Sequence, residues 1–261
     1  MMDATRSRVA PRIVKRSWLA GALTVTVATG VLVAAPHTAS AAVETPVALG
    51  TAANFAVLAG KAVTNTGATV VTGDLGVSPG ALVTGFPPGT KSGSTHAADA
   101  VSAQAQTDLT TAYNDAAART PATVVPTQLG GTTVTPGLYK STAGTFQITG
   151  DLTLDAQGDP DAVFIFQTTS TLTAATASTV TLTGDAQECN VFWKVGSSAS
   201  LGMNSDFTGN ILALNSISTS SGATVKGRAL ARNGIITLNR STITQSFCQS
   251  PSSATQTPGT P

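Results

Sequence analysis

The sequence predicts a mostly β fold: a right-handed parallel β-helix of about six rungs with one long α-helix packed along its side. Three observations carry this. In the C-terminal half, short apolar runs return every 18–20 residues. Each run is followed by two further short apolar signals, so each period holds three strands. One stretch, 95–119, is alanine-rich, free of Gly and Pro, and apolar at helical spacing.

The N-terminus is read apart from the fold. Arg6, Arg8, Arg12, Lys15 and Arg16 form a basic region, an apolar stretch follows over 18–35, and Ala39-Ser40-Ala41 supplies a small-residue cleavage pattern. Residues 1–41 are therefore expected to be a signal peptide and 42–248 a single exported domain. Threonines and glycines dilute the apolar stretch too much for a good membrane-spanning helix, and no later segment is apolar enough to span. The leader takes five of the 14 Lys and Arg and one of the 13 Asp and Glu, leaving 9 basic and 12 acidic residues, a net charge of about −3. That balance argues against nucleic acid as a partner, which needs a basic patch. Only 10% of the whole chain is charged, so the surface must be largely neutral hydroxyl, methyl and backbone.

The rungs follow in order. Phe55-Ala56-Val57-Leu58 stands where Ile211-Leu212-Ala213-Leu214 stands in a later unit, and Gly67-Ala68-Thr69-Val70 recurs as Gly222-Ala223-Thr224-Val225. Thr72-Gly73-Asp74-Leu75 is repeated as Thr149-Gly150-Asp151-Leu152. Rungs are expected to begin near Asn54, Gly137, Ala162, Asn190, Asn210 and Arg228. The long gap after the first holds the helix, with Ser94 or Thr95 as its cap, Pro121 as its stop, and Ala97, Val101, Ala105, Leu109, Tyr113 and Ala116 on its apolar face. Runs such as Val163 to Phe166, Val191 to Trp193 and Ile211 to Leu214 are apolar on both sides, so the first strand of each rung should lie beneath the helix. In the second and third strands an inward aliphatic is flanked by outward hydroxyls, as in Thr171-Leu172-Thr173 and Ser216-Ile217-Ser218, leaving two faces open. Residues 249–261, rich in Pro, Ser, Thr and Gly, read as a disordered tail.

The stretches Asn190-Val191-Phe192-Trp193, Gly209-Asn210-Ile211-Leu212-Ala213, Gly227-Arg228-Ala229-Leu230-Ala231 and Gly73-Asp74-Leu75-Gly76-Val77-Ser78-Pro79-Gly80 resemble the microbial ice-binding proteins of the DUF3494 type. The resemblance runs from about Val47 to Cys248. It implies a discontinuous β-helix with a flanking helix, secreted or displayed, with ice and its ordered water as the partner. Ice-binding members often carry Thr-(Ala or Gly)-x-(Thr or Asn) on or beside the binding face. Here the pattern occurs as Thr66-Gly67-Ala68-Thr69, Thr142-Ala143-Gly144-Thr145 and Thr173-Ala174-Ala175-Thr176, and it is broken in Ser221-Gly222-Ala223-Thr224 and Ser197-Ser198-Ala199-Ser200.

The two open faces differ in charge. Outward positions of the second strands are Ala62 and Thr64, Thr145 and Gln147, Thr171 and Thr173, Ser200 and Gly202, Ser216 and Ser218, and Ile235 and Thr237, none of them charged. The third strands place Asp151, Asp206 and Lys226 in their ladder. A regular, uncharged array orders water without locking it into an ionic hydration shell. Threonine suits it because its β-branch fixes the methyl and hydroxyl at little entropic cost. The second face is therefore the expected ice-binding surface, with Thr64, Thr66, Thr69, Thr142, Thr145, Thr171, Thr173, Thr176, Ser200, Ser216, Ser218 and Thr237 as its contact residues.

Catalysis and metal binding find little support. Asp155, Asp159 and Asp161 surround Pro160 in a turn, Asp74 and Asp151 read as turn residues, and His96 lies at the expected helix start, where capping or packing explains it. No nucleophile–base pair stands out, and no cofactor is implied. The expectation is a monomeric, secreted, non-enzymatic protein; the alternative is a surface or adhesion module on the same scaffold. Cys189 and Cys248 default to a disulfide in an oxidising destination. With rungs stacked in chain order, Ile211, Ala229 and Phe247 share a ladder, which leaves the cysteines about three rungs, or about 14 Å, apart. A bond therefore requires either a C-terminus that doubles back or a different stacking order.

Overall fold

The structure, a computed structural model, describes residues 44–249. The leader expected over 1–41 and the tail beyond Gln249 lie outside the described residues. The described chain is a parallel β-helix with three strand ladders and one helix along its side.

The helix explains why the stack does not follow chain order. Strands Phe55–Ala59, Asp74–Val77 and Thr95–Ala97 build one end of the first ladder. The helix, Ala100–Ala118, then carries the chain back along the side, and Thr123–Val125 starts a second block at the far end. That block climbs through Gly137–Ser141, Phe164–Thr168, Val191–Val195, Asp206–Ala213 and Thr224–Ala231. Its last strand pairs with the N-terminal one, Val57↔Ala229 and Leu58↔Leu230. The β-helix is thus discontinuous, and the rung at Phe55 neighbours that at Arg228 rather than that at Gly137. The six expected rungs become nine levels of the first ladder, because Asp74–Val77, Thr95–Ala97 and Thr123–Val125 each add a strand that the apolar pattern underplays.

Helix boundaries also move. Thr95–Ala97 is a strand paired with Leu75–Val77. Ala98 takes a left-handed φ of 52°, and Asp99 caps the helix by accepting from Ser102 N–H in a reciprocal capping box. The 19-residue helix is about 28 Å long. Its Ala105, Leu109, Ala112, Tyr113 and Ala116 pack on Leu58, Leu138, Ile165, Phe192, Leu212 and Leu230 of the first face, joined by Val47 and Leu49 of the N-terminal segment. Val101, placed on the apolar face by spacing, is exposed. His96 packs edge-on against Phe55, and its Nδ1 lies 2.7 Å from the capping carboxylate of Asp99.

Inside the β-helix, one inward column reads Tyr139, Phe166, Trp193, then Ile211, Ala229, Val57 and Leu75. The aromatic part stacks, with ring centres 5.4 Å and 4.1 Å apart, and the column shrinks towards the N-terminal rungs. At the corner between third and first faces, Gly209 and Gly227 pair in register with φ of 113° and 143°. A Cβ on Gly227 would lie 2.1 Å from the Gly209 carbonyl oxygen, so both the conformation and the space require glycine.

The cysteines are joined, with Cα atoms 5.4 Å apart, because the C-terminus doubles back. Gln245 Nε2 donates to the Ala53 carbonyl, Phe247 covers the buried Arg228 guanidinium at 5.6 Å, and the Gln249 N–H reaches Gln187. The ladder place that sequence spacing gave to Phe247 belongs to Val57; Phe247 itself is 66% exposed.

Candidate functional site

The second ladder is built from Phe146–Ile148, Leu172–Ala174, Ala199–Leu201, Ile217–Thr219, Ile235–Asn239, Ala62–Thr66 and Leu82–Thr84. Its inward residues Phe146, Leu172, Ala199, Ile217, Ile236 and Val63 are buried in the core. This fixes which side chains face out, since a strand alternates strictly. Register then places Gln147, Thr173, Ser200, Ser218, Thr237, Thr64 and Thr84 in one central outward column, without a shift across seven strands. Successive members are about 4.8 Å apart. Ser218 Oγ donates to Ser200 Oγ at 3.2 Å and Thr64 Oγ1 to Thr237 Oγ1 at 3.4 Å, so parts of the column are aligned by their own hydrogen bonds.

Two flanking columns follow from the same register. One holds Thr145, Thr171, Ser198, Ser216, Ile235, Ala62 and Leu82; the other holds Thr149, Ala175, Gly202, Ser220, Asn239 and Thr66. None of the three columns carries an ionisable side chain. Charge begins at the rims, with Lys61 before Ala62 and Arg240 after Asn239. The surface is uncharged, regular and free of bulges over its full length.

The structure assigns the expected contact residues unevenly. Thr64, Thr145, Thr171, Thr173, Ser200, Ser216, Ser218 and Thr237 lie in the central and first flanking columns, and Thr66 lies in the second. Thr176 and Thr142 are exposed at the corners on either side of the face. Thr69 is a correction: it is fully buried, and its Oγ1 accepts from Ser241 N–H. Its four-residue pattern spans a tight corner, so the first threonine faces out and the last turns inside. The same columns also hold Thr84, Thr149, Ser198, Ser220 and Asn239, which the sequence reading did not include. The signal for Thr84 was present, because Leu82-Val83-Thr84 repeats the aliphatic-Val-Thr of Ala62-Val63-Thr64.

The third face is different. Asp151–Asp155, Thr179–Thr183, Asp206–Ala213, Thr224–Ala231, Thr242–Thr244 and Val70–Thr72 form its ladder, extended at its two ends by Thr133–Val134 and Thr90–Lys91. Between the second and third of these only Thr179↔Asp206 pairs, and a cavity of about 390 Å³ opens beside Thr181, Leu182, Glu188 and Lys226. Asp206 accepts from Thr224 Oγ1 at 2.6 Å and from Lys226 Nζ at 3.1 Å. This face is both charged and concave.

Other sequence candidates have local roles. Asp155 Oδ1 accepts from Gln157 N–H and Asp159 Oδ1 from Asp161 N–H, both closing turns. Among the described residues no three His, Cys, Asp or Glu side chains converge as metal ligands would.

Fold and geometry together describe a parallel β-helix protein with one flat, uncharged strand face. The chain belongs to the ice-binding-like family, whose sequence profile matches residues 57–244. An ice-binding protein of Nostoc sp. (strain HG1) is 50% identical over 206 residues, 78% of this chain and 76% of that protein. The crystal structure of an ice-binding protein from an Antarctic biological consortium superposes with a TM-score of 0.78 at 50% identity, covering 80% of this chain and 95% of that one. That of an ice-binding protein from the Antarctic ascomycete Antarctomyces psychrotrophicus gives 0.74 at 40% identity, covering 78% and 100%.

Proposed function

We propose that this protein adsorbs to ice through its second face and thereby slows ice growth and recrystallisation. The observation that carries the reading is the uncharged outward column from Gln147 to Thr84, unbroken through seven strands. Parallel strands repeat a hydroxyl or methyl about every 4.8 Å in one direction. Pre-placed threonine and serine hydroxyls hold water by hydrogen bonds while neighbouring methyl groups limit its alternatives. Such ordered water merges with a crystal surface, whereas an ionic shell does not.

The protein works as a secreted monomer without catalysis. Support for export comes from the basic and apolar leader and from the Cys189–Cys248 disulfide, which suits an oxidising compartment. No helix of the described residues is long and apolar enough to cross a membrane. The test is ice-recrystallisation inhibition by the purified protein. Inhibition at micromolar concentration is expected; its absence would overturn the reading in favour of a surface or adhesion module on the same scaffold.

A further inference from the structure

We propose that the cavity where the first face turns into the second, beside the C-terminal end of the helix, is a binding site for an oxyanion. It holds about 490 Å³, and its lining includes Ala117, Lys140, Thr142, Gln167, Thr169 and Lys194. Lys140 and Lys194 stand in one outward column with Gln167 between them. Their Cα atoms are two ladder steps, or about 9.6 Å, apart, and side chains of that length converge readily on a single anion. The ion pairs of the described residues use other groups, so neither ammonium has a carboxylate partner.

Lys194 makes the stronger case. Its Nζ donates to the Thr168 carbonyl at 3.2 Å and lies 5.1 Å from the centre of the Tyr113 ring. Both partners are neutral, while burial pushes the ammonium below the usual lysine range. A partly desolvated cation without a negative partner gains from any anion that reaches it. The helix terminus does not fill that place, because the carbonyls of Ala116 and Arg119 already accept from Gln167 Nε2. Thr142 and Thr169 offer hydroxyls that make no hydrogen bond to another described residue. The volume exceeds that of a bare ion and leaves room for a sugar ring bearing a carboxylate or sulfate. The site stands independently of ice adsorption.

Calorimetric titration of the folded protein at low salt, with sodium sulfate in one arm and tri-galacturonate in the other, separates the sources. Saturable binding of either probe, weakened about tenfold by Lys140→Gln and by Lys194→Gln, is expected. Binding of both probes would show that a free anion suffices, and binding of the saccharide alone would identify an acidic sugar. No saturable binding of either probe at roughly 10 mM, or binding unchanged in the double variant, would overturn the proposal. If Lys194→Gln lowers the melting temperature by loosening Tyr113, the exposed Lys140 decides the outcome, since its replacement leaves the core intact.

Discussion

The second and third faces share one solenoid, one strand spacing and a similar wealth of threonine, yet only one is a plane. On the second face every strand pairs in register with the next, and the outward columns hold no charge. On the third, the strands Thr179–Thr183 and Asp206–Ala213 part after a single pair, and Asp206 and Lys226 bond across the ladder. Threonine content therefore does not make a face flat. Continuity of the ladder and absence of charge separate the two faces.

The sharpest way to break this comparison is a bulky side chain in each face. Thr173→Tyr lifts a ring out of the central column and should remove most of the recrystallisation inhibition, with the melting temperature unchanged. Thr181→Tyr on the third face should leave activity intact; the opposite pattern would assign recognition to the wrong face here. A charge is a milder insult: Ser218→Lys keeps the ladder but adds an ionic hydration shell, and partial loss is expected in the same assay.

Stability should separate from recognition. Cys248→Ser releases the C-terminal strap, closed across a sequence separation of 59 residues. It should cost about 4 kcal/mol of unfolding free energy, read by denaturant titration, while inhibition in the cold is retained. The smallest effect is expected from pH. The second face has no ionisable group, so inhibition should be flat wherever the fold holds. Acid reaches the scaffold first. Asp99 is lowered from an ordinary 3.8 to about 2, chiefly by the Ser102 N–H and then by His96. A depressed carboxylate contributes stability above its unfolded value and loses it as pH falls through its folded one. The melting temperature should accordingly begin to fall below about pH 4 and continue down to about 2, with no change in activity per folded molecule above that range.

Much of this was legible in the sequence. The 18–20-residue spacing located the late rungs, and runs apolar on both sides identified the face beneath the helix. The outward positions of the second strands were nearly all read correctly, because strict alternation ties them to an inward aliphatic. Stacking order was not legible. A parallel strand accepts any neighbour of matching shape, so nothing local told Phe55–Ala59 to pair with Thr224–Ala231. Asp74–Val77 was hidden as a first strand because Gly76 offers no side chain to the helix, and a Cβ there would lie 2.5 Å from the Phe55 ring. Thr69 misled because a four-residue corner turns inward the last threonine of a pattern that the family resemblance puts on or beside the binding face. The disulfide, expected from the oxidising destination, conflicts only with rungs stacked in chain order; the strap after Thr244 removes the conflict by running back over Arg228.

The pairing of Val57 with Ala229 also bears on how the protein is made. The rungs synthesised first wait with one bare edge until almost the last of the domain arrives to cover it. Contacts so distant in sequence delay folding and expose open edges meanwhile. Assembly cannot simply proceed rung by rung behind the emerging chain; it must close like a ring, with its two ends meeting in the middle of the stack. A chain truncated before residue 224 would keep most of its rungs and still lack the strand that joins its two blocks.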